Sequence, residues 1–467
     1  LKLMPCLTGQ AWGERRQASG RADLRTHSAH DLRDPKRRRE MMANHAGNSP
    51  VVLDIGSGFA KMGLAGNLEP QFVIPTCVAN PARKTGVVCS SAPGGLSAVG
   101  PDADFYIGDE AYRLRDSQSY NLSFPVNKGR IENWDDMERF LQLALFQNLR
   151  CCPEEHLFLL TETPFNTPES RELTAEIMFE TFNVKGLHIS VQAVLALYGQ
   201  WCRRAEDRES ANVDLTGLVV DSGDGLTHII PVADGYVVNS CIQEIPIGGR
   251  HVTEFVGDLL KDRGEPVPPT QRLEVARQIK EQHAYLCQNV VQEYQKFDAD
   301  PRKFKRLSGV DPKTKSEWSV TVGYERFLAP EIFFHPEIFV DTFTTPLPTV
   351  VDRCIMQCPI DYRRRLFGNV LLAGGSTTFL HFPQRLQRDL QTIVDARLKQ
   401  AELRSGVPPQ PIAVHVDQSK RKTTRFAAWL GGSLLAAEST FPSTCKSKRE
   451  YEEIGPQCMR GHQALHC

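Results

Sequence analysis

Val51-Val52-Leu53-Asp54-Ile55-Gly56-Ser57-Gly58-Phe59-Ala60-Lys61 opens the patterned part of the chain. An apolar run ends on an aspartate, passes through two glycines around a serine, and resumes as apolar residues. Such a run reads as a buried strand, a tight turn and a return strand. The chain repeats it at Leu218-Val219-Val220-Asp221-Ser222-Gly223-Asp224-Gly225-Leu226-Thr227-His228. Both copies run strand, Asp, any residue, Gly, polar residue, Gly, return strand. A pattern used twice, far apart, points to a duplicated domain whose two copies face each other across a cleft.

Outward from these hairpins the chain alternates short apolar runs with helical stretches. Leu157 to Leu160 and Val370-Leu371-Leu372-Ala373 read as buried strands. Asp135 to Leu149 and Ser170 to Thr181 carry apolar residues at three-to-four spacing and read as helices. This alternation predicts an α/β protein. Val87 to Gly100, Arg203 to Asp214, Asp298 to Ser316 and Gly406 to Pro411 read as surface loops.

Lys plus Arg total 55 and Asp plus Glu 56, a formal charge of -1 that argues against a surface devoted wholly to nucleic acid or acidic lipid. No apolar run is long enough to cross a membrane as a helix. The 13 cysteines are scattered without a CxxC pair, which favours reduced thiols over a disulfide framework or a zinc site. Residues 1–49 differ from the rest: polar, Arg-rich and aperiodic, with Met41 and Met42 just before the patterned part. They read as an extension translated from upstream of the true start, ahead of a disordered basic arm. A transit peptide would be poor in acids, and Glu14, Asp23, Asp31 and Asp34 stand here.

A triphosphate with a divalent cation needs close backbone amides, a carboxylate near the metal, and positive charge near the terminal phosphates. Glycines permit the approach because no Cβ intervenes. Magnesium keeps several waters and takes only one or two carboxylates. Asp54 and Asp221 are placed to hold that water shell, and Lys61 to cap a phosphate. One such segment alone is equally an ordinary hairpin. A matched pair, joined by Val370 to Thr378 with its Gly374-Gly375 turn and following hydroxyls, favours phosphate binding. The chain has neither a P-loop GxxxxGK[ST] nor a GxGxxG opening a helix. By pattern, Gln192 is a solvated or capped helix start, His228 is as much a core histidine as a functional one, and Lys280-Glu281 is a surface pair.

In this order the segments resemble the actin, sugar-kinase and Hsp70 superfamily. Within it the similarity to actin runs from about Val51 to about Pro456. It is carried by Asp54 to Lys61, Tyr106-Ile107-Gly108-Asp109-Glu110-Ala111 and Asn133-Trp134-Asp135-Asp136-Met137-Glu138. Leu159-Leu160-Thr161-Glu162, Asp221 to His228 and Trp429-Leu430-Gly431-Gly432-Ser433 extend it. Other stretches resemble not conventional actin but the actin-related proteins, with members in the branch-nucleating actin-related protein 2/3 complex. Among them are Gly323-Tyr324-Glu325-Arg326-Phe327-Leu328, Phe333-Phe334-His335-Pro336-Glu337 and Tyr451-Glu452-Glu453-Ile454-Gly455-Pro456.

The resemblance implies an actin-like fold of duplicated ribonuclease-H-type domains around a nucleotide cleft. Residues 50–190 and 425–467 would form the first half and 191–424 the second. It implies ATP and Mg as ligands. Gly56, Ser57, Gly58 and Lys61 would hold the β- and γ-phosphates from one side, and Gly223, Asp224 and Gly225 from the other, with Asp224 near the ribose. Asp54 and Asp221 would serve the metal through water. Gln192 and His228 would position the attacking water, so that Gln192 acquires a role its pattern did not give it. Lys280 and Glu281 would contact the adenosine portion, with Gly374, Gly375, Ser376, Thr377 and Phe379 around the nucleoside and Arg425 beside the base. Arg425 stands where actin has a lysine and Phe379 where actin has a tyrosine. Both exchanges keep stacking ability.

The implied function is a cytoplasmic, cytoskeletal subunit that templates branched actin filaments, at most a slow regulatory ATPase and not a metabolic enzyme. Its implied partners are actin-related protein 2 and the other complex subunits, actin filaments and nucleation-promoting factors, without nucleic acid. The alternatives are a chromatin-associated actin-related protein or a phosphotransferase of the same superfamily. A chaperone would need a further β-rich domain after Gly374-Gly375. Asn80 to Gly100 and Gln457 to Cys467 follow neither pattern.

Overall fold

The computed structural model describes residues 49–82, 105–206, 214–311 and 315–461. The reading of the N-terminal extension, and most of the divergent stretch between Asn80 and Gly100, fall outside these residues.

Val51–Ile55 (β1), Phe59–Leu64 (β2) and Phe72–Pro75 (β3) form an antiparallel meander. Leu157–Glu162 (β4) joins β1 in parallel, and Gly186–Val191 (β5) joins β4 in parallel. A second sheet repeats the plan. Gly217–Ser222 (β6) and Thr227–Ala233 (β7) form the hairpin, and Tyr236–Val237 (β8) and Gln243–Ile245 (β9) both pair with β7. Lys305–Val310 (β10) and Glu317–Val322 (β11) pair separately. Val370–Ala373 (β12) then joins β6 in parallel, as β4 joins β1. Finally Lys446–Ser447 (β13) returns to the first sheet, antiparallel to β5.

The two sheets bury their hairpins in the same manner, which explains the unbroken apolar runs. Successive side chains of a strand point to opposite faces. Val51 and Leu53 pack with Phe140, Phe158 and Met178 on one face, while Val52 packs with Leu195 and Trp429 on the other. Leu218 and Val220 likewise share a cluster with Ile355 and Phe367, and Val219 turns to Val194 and Leu371. One reading is overturned. Within Asp298 to Ser316, Lys305–Val310 is not loop but the β10 strand, paired with β11 through Leu307↔Val320 and Gly309↔Trp318. Its polar alternation hid a strand whose outer face is solvated.

The described chain crosses between the sheets twice. The first crossing follows β5 through Gln192–Glu206 (α1). The cleft then gains Gly249–Asp262 (α2) and Arg272–His283 (α3), and Phe382–Ser405 (α4) follows β12. The second crossing leads into Ala427–Ala436 (α5), which is buried throughout. α1 and α5 pack against each other where Gly199 meets Gly431, and Trp429 donates from Nε1 to the Val52 carbonyl at 3.1 Å.

Lys448–Ile454 (α6) starts on a reciprocal cap. Ser447 Oγ accepts from the Glu450 amide, and Glu450 Oε2 accepts from the Ser447 amide at 2.8 Å. Ser447→Ala should therefore lower stability by about 1 kcal/mol. Thermal unfolding with protection of the Lys448–Ile454 amides against hydrogen exchange checks this, since the loss should concentrate there.

Candidate functional site

Each hairpin turn closes in the same way. The Gly56 amide donates to the Phe59 carbonyl, and the Gly223 amide to the Leu226 carbonyl, both at 3.1 Å. The registers match too: Asp54 lies across from Lys61, and Asp221 across from His228.

Asp54 is buried and fully engaged. Lys61 Nζ lies 2.9 Å from Oδ2, while Thr161 Oγ1 and Gln192 Nε2 donate to Oδ1 at 2.6 and 2.9 Å. Thr161 comes from β4, the strand beside β1, and Gln192 is the first residue of α1. Burial pushes the Asp54 carboxyl up, but Lys61, Thr161 and Gln192 together outweigh it and hold it below the ordinary value. Asp221 goes the other way. Burial raises it, His228 and Lys61 pull it down, Asp54 pushes it up again, and the net direction is upward. The two aspartates thus differ in character despite matched positions, because Lys61 bonds one of them directly.

The turns themselves nearly touch. A Cβ on Gly58 would lie 2.6 Å from the Asp224 Cβ, so only glycine permits this approach. Gly374 has φ +87°, and a Cβ there would meet the Ser222 carbonyl oxygen at 2.2 Å. By contrast a Cβ on Gly223 or Gly375 would meet nothing within 4 Å. Those two glycines present bare backbone to open space.

Further hydrogen bonds fix the walls. Gly129 donates its amide to Ser57 Oγ at 2.7 Å, and Ser376 Oγ donates to the Gly223 carbonyl at 2.7 Å. Lys280 Nζ, on α3, donates to the Gly249 carbonyl at 2.9 Å. Burial lowers the Lys280 ammonium against the pull of Asp224 and Glu281. Arg250, on α2, holds Asp224 Oδ2 at 3.2 Å. His228 Nε2 lies 3.6 Å from Glu244 Oε2.

Most of these groups, though not Thr161, Arg250 or Glu244, line one cavity of about 460 Å³. Asp54, Gly56, Ser57, Gly58, Lys61, Gln192, Asp221, Gly223, Asp224, Gly225 and His228 line it. So do Lys280, Glu281, Gly374, Gly375, Ser376, Phe379 and Arg425. Thr377 does not line it. It is buried behind the wall, its hydroxyl donating to the Ala373 and Gly374 carbonyls. The cavity also holds Lys128, Gly129, Thr163, Gly249 and Arg421, which sequence reasoning missed. A signal existed for the first two. Lys128-Gly129 sits between Val126–Asn127 and Arg130–Ile131, and both residues take positive φ.

The donor set fits a magnesium nucleotide. Bare glycine backbone, a lysine and a pair of aspartates converge on one volume of suitable size. The profile of the actin family matches residues 45–462. The chain belongs to the actin family. It is similar to Actin-related protein 3 of Drosophila melanogaster, 50% identical over 419 residues that cover 89% of this chain and 98% of that relative. Actin-related protein 3 of Oryza sativa subsp. indica and that of subsp. japonica are each 48% identical over 423 residues, covering 89% of this chain and 97% of each relative. The α/β architecture with its two hairpin-bearing sheets is the actin-type fold that the sequence led us to expect. Among the described residues no helix of this actin-family chain is long and apolar enough to cross a membrane.

Proposed function

We propose that this actin-family chain is an ATP-binding subunit of the actin-related protein 2/3 complex, templating nucleation of branched filaments. The observation that carries the reading is the pair of matched glycine turns, one with Lys61 on Asp54, facing each other over a single cavity. The similarity to Actin-related protein 3 along 89% of the chain directs it to this member of the family.

In this reading residues 50–190 with 425–467, and 191–424, are the two halves. The amides around Gly56, Ser57 and Gly58, with Lys61, hold the phosphates from one half. Gly223, Asp224 and Gly225 hold them from the other. Lys280, Glu281, Gly374, Gly375, Ser376, Phe379 and Arg425 surround the nucleoside, and Thr377 acts only by bracing Gly374. Asp54 and Asp221 face the water shell of magnesium, while Gln192 and His228 orient a water. Mg-ATP would supply the anionic charge that Lys61 and the amides of both glycine turns are placed to hold. The chain acts as a conformational switch in the cytoplasmic actin cytoskeleton, with hydrolysis slow and regulatory. Its partners are actin-related protein 2, the remaining subunits, actin filaments and nucleation-promoting factors.

The test is to purify the chain with those subunits and image branching from existing filaments in the presence of an activator. Branches that need this chain support the proposal. Unbranched filaments, or ATP turnover stimulated by sugars, sink it.

A second expectation follows from Asp221. Metal binding requires the ionised carboxylate, and its raised position leaves more of it protonated in acid. Magnesium-dependent retention of ATP should strengthen as pH rises from the ordinary carboxylate value near 3.8 through the raised value of Asp221. A calorimetric titration across that range checks it; flat affinity would remove Asp221 from the metal site.

A further inference from the structure

The two hairpins extend into matching three-strand ladders that differ at the last rung. In the first, Asp54 lies across from Lys61, and Lys61 across from Val73 on β3. In the second, Asp221 lies across from His228, and His228 across from Glu244 on β9. Where the first ladder ends on an apolar side chain, the second ends on a carboxylate.

The surroundings give that carboxylate one use. His228 lines the cavity, whereas Glu244 does not, and the Glu244 side chain is 42% exposed. Nε2 of His228 is the nitrogen nearest it, 3.6 Å from Oε2, a contact longer than a hydrogen bond. Such contacts tighten when a site engages its ligand. The ring of Phe165 lies beside that of His228, 6.1 Å between centroids at 57°. His228 lowers the Glu244 carboxyl most, burial opposes this, and Lys128 and Arg130 lower it further. Glu244 is therefore an anion facing one ring nitrogen. A neutral imidazole places its proton on the nitrogen with an acceptor, leaving the other as a lone pair.

We propose that Glu244 is a positioning residue of the cleft: from β9 it holds the Nε2–H of His228, fixing the tautomer and leaving Nδ1 as the atom that accepts a hydrogen bond from water beside the nucleotide. The proposal rests on the nucleotide reading of the cleft. Glu244 touches neither nucleotide nor metal in it and acts only through His228.

The test uses the full chain with its complex partners, labelled with ¹⁵N-histidine, the His228 signals being assigned by their loss in His228→Asn. Two-bond ¹⁵N correlations at neutral pH should show Nε2 protonated and Nδ1 bare in the wild type. Glu244→Gln should mix the tautomers and lower kcat for ATP hydrolysis by about tenfold with KM little changed. Glu244→Asp should restore both in part. A proton on Nδ1 in the wild type, or shifts unmoved in Glu244→Gln, overturns the proposal. The wild-type measurement decides even if a variant fails to fold. Failure of the wild type to bind fluorescent ATP overturns the nucleotide role together with the reading beneath it. The tautomer data then show whether the contact itself survives, which separates the two failures.

Discussion

Gly431→Val should destabilise the chain by about 5 kcal/mol, the range reached only by severe core lesions. A Cβ at Gly431 would lie 1.7 Å from the Leu195 carbonyl oxygen, well inside contact distance. The atom met is backbone in the first turn of α1, so no side chain can swing aside. Nor can α5 retreat. Trp429 is fully buried with its indole bonded to Val52, and Gly432 sits against Leu159 and Val52. Relief must come from separating α1 and α5, which opens the cluster of Leu195, Tyr198, Leu430 and Leu434. Overpacking alone costs about 1–3 kcal/mol, and the packing lost on separation adds to it. Denaturant unfolding followed by circular dichroism measures the effect; a midpoint near wild type would show that the helices slide freely. Gly223→Val is the matched control, because its side chain would project into open cavity. It should fold normally and lose nucleotide.

Lys61→Met should reduce ATP affinity by at least about a hundredfold, the equivalent of roughly 3 kcal/mol for a charge-assisted contact. It acts twice. The cation facing the phosphates disappears, and Asp54 keeps only Thr161 and Gln192 as donors. In the wild type the Asp54 carboxyl is held low, so its contribution to stability is present above the ordinary value near 3.8 and is lost as pH falls through the folded value. In the variant burial is left as the leading influence. The stabilisation that Lys61 gives the ionised carboxylate is then lost, so the variant gains less stability than the wild type as pH rises through about 3.8. Unfolding midpoints at a series of pH values should diverge between wild type and variant toward neutrality. Parallel curves would show that Lys61 does not control Asp54.

Much of this site was legible in the sequence, for a physical reason. Backbone amides must come close to phosphate, and only glycine allows it, so Gly56, Gly58, Gly223 and Gly225 stand out in any reading. The strands show themselves because both of their faces are covered. Gln192, Lys280 and Glu281 are different. Each sits in a helix whose local pattern is satisfied without a cleft, and only resemblance pointed to them. Thr377 was misplaced because a hydroxyl following a Gly-Gly turn can face outward or back onto the preceding carbonyls, and here it turns back. Glu244 and Arg421 left no signal at all, since their neighbours in space are remote in sequence. The β10 strand was missed because solvent on one face makes its composition look like a loop.

The two crossings of the chain have a mechanical consequence. A single covalent link between two bodies permits swivel, tilt and translation. Two links side by side leave one soft freedom, rotation about the line that joins them. In the proposed two-half reading the links run through α1 and into α5, which meet where Gly199 approaches Gly431, and that contact would serve as the axle. Gln192 sits at the start of one of those helices with its amide on Asp54. If the cleft takes a nucleotide as proposed, torque at its phosphates would be delivered at that axle, where a small turn becomes a large displacement at the outer edges of both sheets.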